Sequence, residues 1–126
     1  MTFTLYRQNS NLRKLIRKLV QAQRDTMKKM ALDLYFVLGK SDSRSSETSI
    51  NQEIEAFDDI IIGDFIDSYR NLTMKTLAAH TFLNSSHFTA CSTDWVIFHD
   101  DDSFVNYSKV SLDYPLKIIS TFTLID

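Results

Sequence analysis

Hydrophobic and polar positions change their period several times along this chain, and each change predicts an element. Between residues 11 and 30, Leu12, Leu15, Ile16, Leu19, Val20, Met27 and Met30 recur at helical spacing with basic residues between them. That is the pattern of an amphipathic helix, with Ser10 or Asn11 placed to cap its start. Residues 32–38 (LDLYFVL) predict a strand that Gly39 ends, and the polar, serine-rich stretch from Lys40 to Ser49 predicts a loop. Glu53 to Phe57 predicts the end of a short helix. Asp59 to Phe65 (DIIIGDF) predicts a strand buried on both faces, because three consecutive isoleucines suit burial on either side. Leu72 to Leu83 predicts a helix with Leu72, Leu77, Ala78 and Phe82 on or near one face. Trp95 to Phe98 (WVIF) predicts a third buried strand, which runs directly into Asp100, Asp101 and Asp102. A further strand is predicted from Ile118 to Ile125.

Helix and strand alternate throughout, which predicts α/β layers around a mostly parallel sheet. With 126 residues there is room for one domain. Only 2 glycines and 1 proline exclude a linker or a disordered tail, and no internal repeat is visible. No run of about 18 apolar residues exists, so the sequence predicts no transmembrane helix, and Met1 to Tyr6 is too short for a signal-peptide core. The single cysteine, Cys91, has no partner within the chain.

The net charge of −2 hides an asymmetry. Residues 1–30 carry eight basic residues against one acid, a local charge of +7, whereas the rest carries 6 basic and 15 acidic residues, or −9. A basic helix of this kind can bind acidic lipid or nucleic acid, but more often it packs one stripe on a core and solvates the rest. It has no aromatic residue for base stacking, so no nucleic-acid partner is expected.

The acidic triplet is the feature that carries chemistry. In parallel α/β sheets, ligands bind just beyond the carboxyl ends of strands. Adjacent carboxylates there repel one another, and a divalent cation relieves the repulsion. Oxygen-only ligands suit Mg²⁺ or Mn²⁺, and Mg²⁺ takes one or two carboxylates and completes its shell with phosphate oxygens and water. A strand-terminal Asp-x-Asp is therefore a handle for a metal-diphosphate; the plainer alternative is a solvated acidic turn. A phosphatase with an aspartyl nucleophile also places Asp-x-Asp after an apolar strand, but it expects Thr or Val where this chain has Phe104. No glycine-rich phosphate loop, serine-nucleophile elbow or zinc-type spacing is present in the sequence. His99 abuts the triplet as a possible metal neighbour, while His80 and His87 read as structural or surface residues.

The stretch from Asp59 to Leu77 (DIIIGDFIDSYRNLTMKTL), followed at the fitting distance by Asp100 to Asn106 (DDDSFVN), resembles the β-1,3-galactosyltransferase family. That family carries D-I-I-x-x-D-F-x-D-S-Y-x-N-L-T-x-K-T and then D-D-D-x-F-V-N, and often a cysteine where Cys91 stands. The resemblance covers roughly residues 31–106. It implies a GT-A type, Rossmann-like fold, a UDP-sugar donor, a Mn²⁺ or Mg²⁺ ion, and inverting transfer of galactose or N-acetylglucosamine to an acceptor glycan on a glycoprotein or glycolipid. It implies Asp102 as the main metal ligand, with Asp100 and Asp101 on the metal or the ribose. Lys75 and Arg70 would supply positive charge near the donor diphosphate, and Asp67 and Tyr69 would order that loop. It also implies a Golgi-membrane parent protein, lumenal side, whose anchor lies outside this sequence.

The chain departs from the family in three places. Arg13-Lys14-Leu15-Ile16-Arg17-Lys18-Leu19-Val20 only partly echoes the family's R-R-x-x-I-R-x-T-W. Phe98 and His99 stand where a lysine commonly precedes the triplet. After Asn106 the resemblance fades, and only Asp113 and Asp126 remain as acids to serve as a base. The organisation expected is a basic amphipathic segment over 1–30, a donor-binding region over 31–106 and a divergent tail over 107–126, in an incomplete domain. A non-catalytic remnant that binds a metal, a nucleotide or a partner is the alternative. Asn71-Leu72-Thr73, Asn84-Ser85-Ser86 and Asn106-Tyr107-Ser108 fit the glycosylation pattern.

Overall fold

A computed structural model of the chain describes residues 9–26, 31–41, 43–85, 95–100, 103, 105–113 and 118–124. The elements are α1 (Ser10–Thr26), β1 (Ala31–Lys40), α2 (Arg44–Phe57), β2 (Ile60–Ile66), a 3₁₀ turn (Tyr69–Asn71), α3 (Leu72–Leu83), β3 (Trp95–Asp100), α4 (Tyr107–Asp113) and β4 (Ile118–Leu124). The strands form one sheet in the order β2-β1-β4-β3, with every pairing parallel.

β1 is central, and its side chains divide between two cores. Leu32, Leu34, Phe36 and Leu38 pack with Val20 of α1, Ile50 of α2 and Tyr107 of α4 on one face. Val37, with half-buried Tyr35, packs with Ala79 and Phe82 of α3 on the other. Such two-faced burial is what an apolar parallel strand requires, because crossover helices cover both sides of the sheet.

Several boundaries differ from the sequence reading. α2 begins at Arg44, inside the stretch expected to be loop, because Ile50, Glu53 and Ile54 supply the stripe that docks it on the sheet. Gly39 does not end β1, which continues through Lys40. β2 is an edge strand rather than one buried on both faces, so Ile62 is exposed. In α3 the inward residues are Leu72, Lys75, Ala79 and Phe82, while Leu77 is 56% exposed. α4 occupies a segment whose pattern predicted no element, and Met27 to Met30 lie outside the described residues.

The basic helix packs one stripe on the core and exposes Lys14 and Lys18, as expected, but two of its cations are not solvated. Arg13 is fully buried and donates from Nε (2.8 Å) and Nη2 (2.6 Å) to the two carboxylate oxygens of Glu53. Arg17 donates to the same carboxylate at 2.7 Å and, in a bidentate fork, to Asp59 at 2.6 and 2.7 Å. The Arg17 guanidinium also lies 4.9 Å from the Phe36 ring centroid and 4.1 Å from that of Phe57. One network thus joins α1, α2 and the residue that leads into β2. Burial alone would raise the Glu53 pKa, but the hydrogen bonds and charges of Arg13 and Arg17 hold it below the usual 4.5. Arg17 also loses solvation by burial, yet Asp59 and Glu53 raise its pKa.

Glu53→Ala leaves the Arg13 charge buried without its carboxylate, which costs about 3–5 kcal/mol. Urea unfolding measures this, and a loss under about 1 kcal/mol would contradict the network. Because the Glu53 pKa is lowered on folding, its contribution is present above the unfolded value and is lost as pH falls through the folded one. Unfolding midpoints should therefore drop below the ordinary 4.5 more steeply in the native chain than in Glu53→Gln.

Candidate donor-binding edge

The carboxyl ends of the four strands lie along one edge of the sheet. Register places Val37 of β1 opposite Leu124 of β4, and Leu124 opposite Asp100 of β3. Asp100 therefore stands level with Val37, two strands away, at about 10 Å. The first step from β1 goes to β2 on one side and the next goes to β3 on the other, so the strand order reverses beside β1. Crevices at such reversals, outside the carboxyl ends, are where ligands bind in open α/β sheets.

On the β1–β2 side, the loop that begins with Asp67 is locked. The Asp67 N–H donates to the Lys40 carbonyl at 3.0 Å, and its carboxylate accepts from the Gly39 N–H at 3.0 Å. The same carboxylate lies 2.9 Å from Lys75 Nζ, with both side chains buried. A Cβ on Gly39 would stand 2.7 Å from the Asp67 nitrogen and 2.8 Å from its Cα, so only glycine lets the two segments approach this closely. Asn71 closes the loop by donating its side-chain amide to the Ile66 carbonyl at 2.7 Å. This half-buried asparagine thus has its amide engaged, although it fits the glycosylation pattern. Outside the loop, Lys40 pairs with exposed Asp64, whose pKa is lowered by that lysine.

On the β3 side, Asp100 ends the strand with its side chain exposed, and its carbonyl accepts from the Ser103 N–H at 3.1 Å. His99 shares a hydrogen bond between Nε2 and the Tyr107 hydroxyl at 3.2 Å, so its ring is directed at a buried tyrosine. Asn106 caps α4, accepting on Oδ1 from the Lys109 N–H at 3.1 Å.

The site residues expected from the sequence fall into three groups. Asp67 and Lys75 come together, but Lys75 is fully buried rather than exposed or facing a diphosphate directly. Arg70 is exposed on the 3₁₀ turn of the same loop. Asp100 ends β3, while Asp101, Asp102 and the side chain of Tyr69 lie outside the described residues, as do Cys91 and His87. Among the described residues there is no group of three or more His, Cys, Asp or Glu that could hold a metal. The triplet, which begins at exposed Asp100, offers only carboxylates, and that chemistry fits a hard divalent cation. A cleft of about 450 Å³ opens elsewhere, between α1 and the start of β2, lined by Arg17, Arg24, Asp33, Tyr35, Phe57 and Asp59. It does not lie at the carboxyl edge.

Sequence reasoning passed over Gln23 and Gly39. The signal for Gln23 was present: with Arg13, Ile16 and Val20 it lies on one helical stripe, where a polar residue needs a buried partner.

This architecture, a four-stranded parallel sheet with helices on both faces, is that of a partial α/β domain of the GT-A kind. The galactosyltransferase family model matches residues 11–121, and the chain belongs to that family. It is 41% identical over 76 residues to β-1,3-galactosyltransferase 1 of Mus musculus and of Homo sapiens, covering 60% of this chain and 22% of those proteins. It is 33% identical over 94 residues to β-1,3-galactosyltransferase 5 of Pan paniscus, covering 75% of this chain and 29% of that protein. The chain therefore spans less than a third of the length of these curated relatives. No solved structure matches it. The family match extends through α1 and into β4, beyond the stretch from 31 to 106 that carries the motifs.

Gly39→Ala should force Asp67 away from β1 and cost about 1–3 kcal/mol, as overpacking does. Denaturant unfolding reads this, and an unchanged midpoint would mean that the two segments are not in contact.

Proposed function

We propose that this chain forms the donor-binding part of a hexosyltransferase. The enzyme would move galactose or N-acetylglucosamine from a UDP-sugar to an acceptor glycan, with inversion and assistance from Mn²⁺ or Mg²⁺, on the lumenal side of the Golgi membrane. The observation that carries this reading is Asp100, the first carboxylate of the triplet, at the end of β3 and level with the strand-order reversal beside β1. Membership of the galactosyltransferase family supports the class of reaction. The names of the similar proteins support galactose as the sugar.

Asp102 and Asp100 would hold the cation, which would supply positive charge against the charge developing on the UDP leaving group. The side chains of this chain have separable tasks. Asp101 would contact the metal or the ribose. Arg70, exposed on the locked loop, would meet the diphosphate, and Tyr69 would order that loop. Asp67 and Lys75 hold the backbone of the loop against β1, so their effect on the donor is through its shape. No catalytic base is assigned, since the sequence after Asn106 carries only Asp113 and Asp126 as acids. No described helix is long and apolar enough to cross a membrane.

Calorimetry of UDP binding with and without Mn²⁺, on this chain and on Asp102→Ala, tests the reading. The expected result is binding that requires Mn²⁺ and weakens at least about tenfold in the variant, as when a direct metal contact is lost. A folded chain that binds no UDP under either condition would overturn the donor-site assignment. Binding without sugar transfer would favour a non-catalytic remnant.

A further inference from the structure

The segments on both sides of the acidic triplet are held from α1, by a residue that has no charge. Gln23 is partly buried on the inward stripe of α1, one turn beyond Val20. Its side-chain Nε2 donates to the Val105 carbonyl at 3.0 Å, and its Oε1 accepts from the Tyr107 N–H at 2.7 Å. That N–H is at the first residue of α4, where no partner within the helix is available. Tyr107 in turn reaches back to His99, the residue before Asp100, through its hydroxyl. The chain entering the triplet and the chain leaving it are therefore joined through Tyr107, and Tyr107 is fixed by Gln23.

We propose that Gln23 is a positioning residue for the end of β3: its amide, bonded to both Val105 and Tyr107, sets through Tyr107 and His99 where the carboxylate of Asp100 is presented. A primary amide suits this task because it donates and accepts at once across a spacing of two residues, which neither a carboxylate nor an ammonium can do. The neighbouring cations of α1 have other partners: Arg13 and Arg17 bind Glu53 and Asp59, and Arg24 donates to the Leu32 carbonyl at 2.6 Å. The functional consequence rests on the metal-diphosphate reading above, whereas the geometry does not.

Gln23→Leu and Gln23→Glu test this by two readouts. The first is amide hydrogen exchange. In Gln23→Leu the Tyr107 amide should exchange at least about tenfold faster, while the Phe36 amide, bonded to the Asp59 carbonyl at 2.8 Å, keeps its protection. In Gln23→Glu the Tyr107 amide keeps an acceptor and stays protected. The second readout is UDP affinity, which should fall about tenfold with Mn²⁺ in Gln23→Leu and stay unchanged without it, since supporting residues of this kind typically contribute 10–100-fold to metal affinity. Unchanged Tyr107 exchange in Gln23→Leu would overturn the proposal, as would faster exchange with undiminished Mn²⁺-dependent UDP affinity. A native chain that shows no Mn²⁺-dependent UDP binding would sink the donor-site reading alone, and Tyr107 exchange then decides the positioning role by itself.

Discussion

Arg13 carries a guanidinium into the interior of the fold, where its side chain is fully buried. Burying an ion costs several kcal/mol unless a partner and good hydrogen bonds compensate. Glu53 answers with both oxygens, and Arg17 ties the same carboxylate to Asp59. This arrangement specifies the relative placement of α1, α2 and the entry to β2 more narrowly than apolar contact would, since bidentate bonds tolerate little sliding.

The same device recurs on each of the first three helices. α1 has Arg13 and Gln23 on its inward stripe, α2 has Glu53, and α3 has Lys75. In every case the partner lies on another element. Arg13 and Glu53 bind each other near the start of β2, Lys75 reaches Asp67 at the end of the sheet, and Gln23 reaches the segment after the triplet. Two of these three links end on loops at the carboxyl edge. A loop there has few apolar contacts of its own, so buried polar bonds are the available means of fixing its shape.

The proposed donor site would draw its geometry from that rigidity. A diphosphate and its cation need donors and carboxylates held within a fraction of an ångström, which loops supply only when supported from behind. The Gly39–Asp67 contact supports one wall of the crevice and Gln23–Tyr107 supports the other. On the donor-site reading proposed above, residues that touch no ligand would support the site, and their substitution would change affinity through backbone position.

The sequence by itself determined the alternating α/β order, the four strands, the span of α3 and the strand-terminal position of Asp100, because these follow from local apolar periodicity and from motifs read in one dimension. Its long motif also pointed to the galactosyltransferase family to which the chain belongs. It misplaced the start of α2, the edge position of β2 and the environments of Arg13, Arg17 and Lys75. Those depend on which surfaces meet, and a charged residue on a helical stripe reads the same in sequence whether it faces water or a carboxylate from forty residues away. Only the tertiary structure decided that Glu53 would stand opposite Arg13, that Asp67 would approach Gly39, and that Gln23 would span Val105 and Tyr107. Pairings of buried polar groups are set by the three-dimensional placement of their partners, and no local period encodes them.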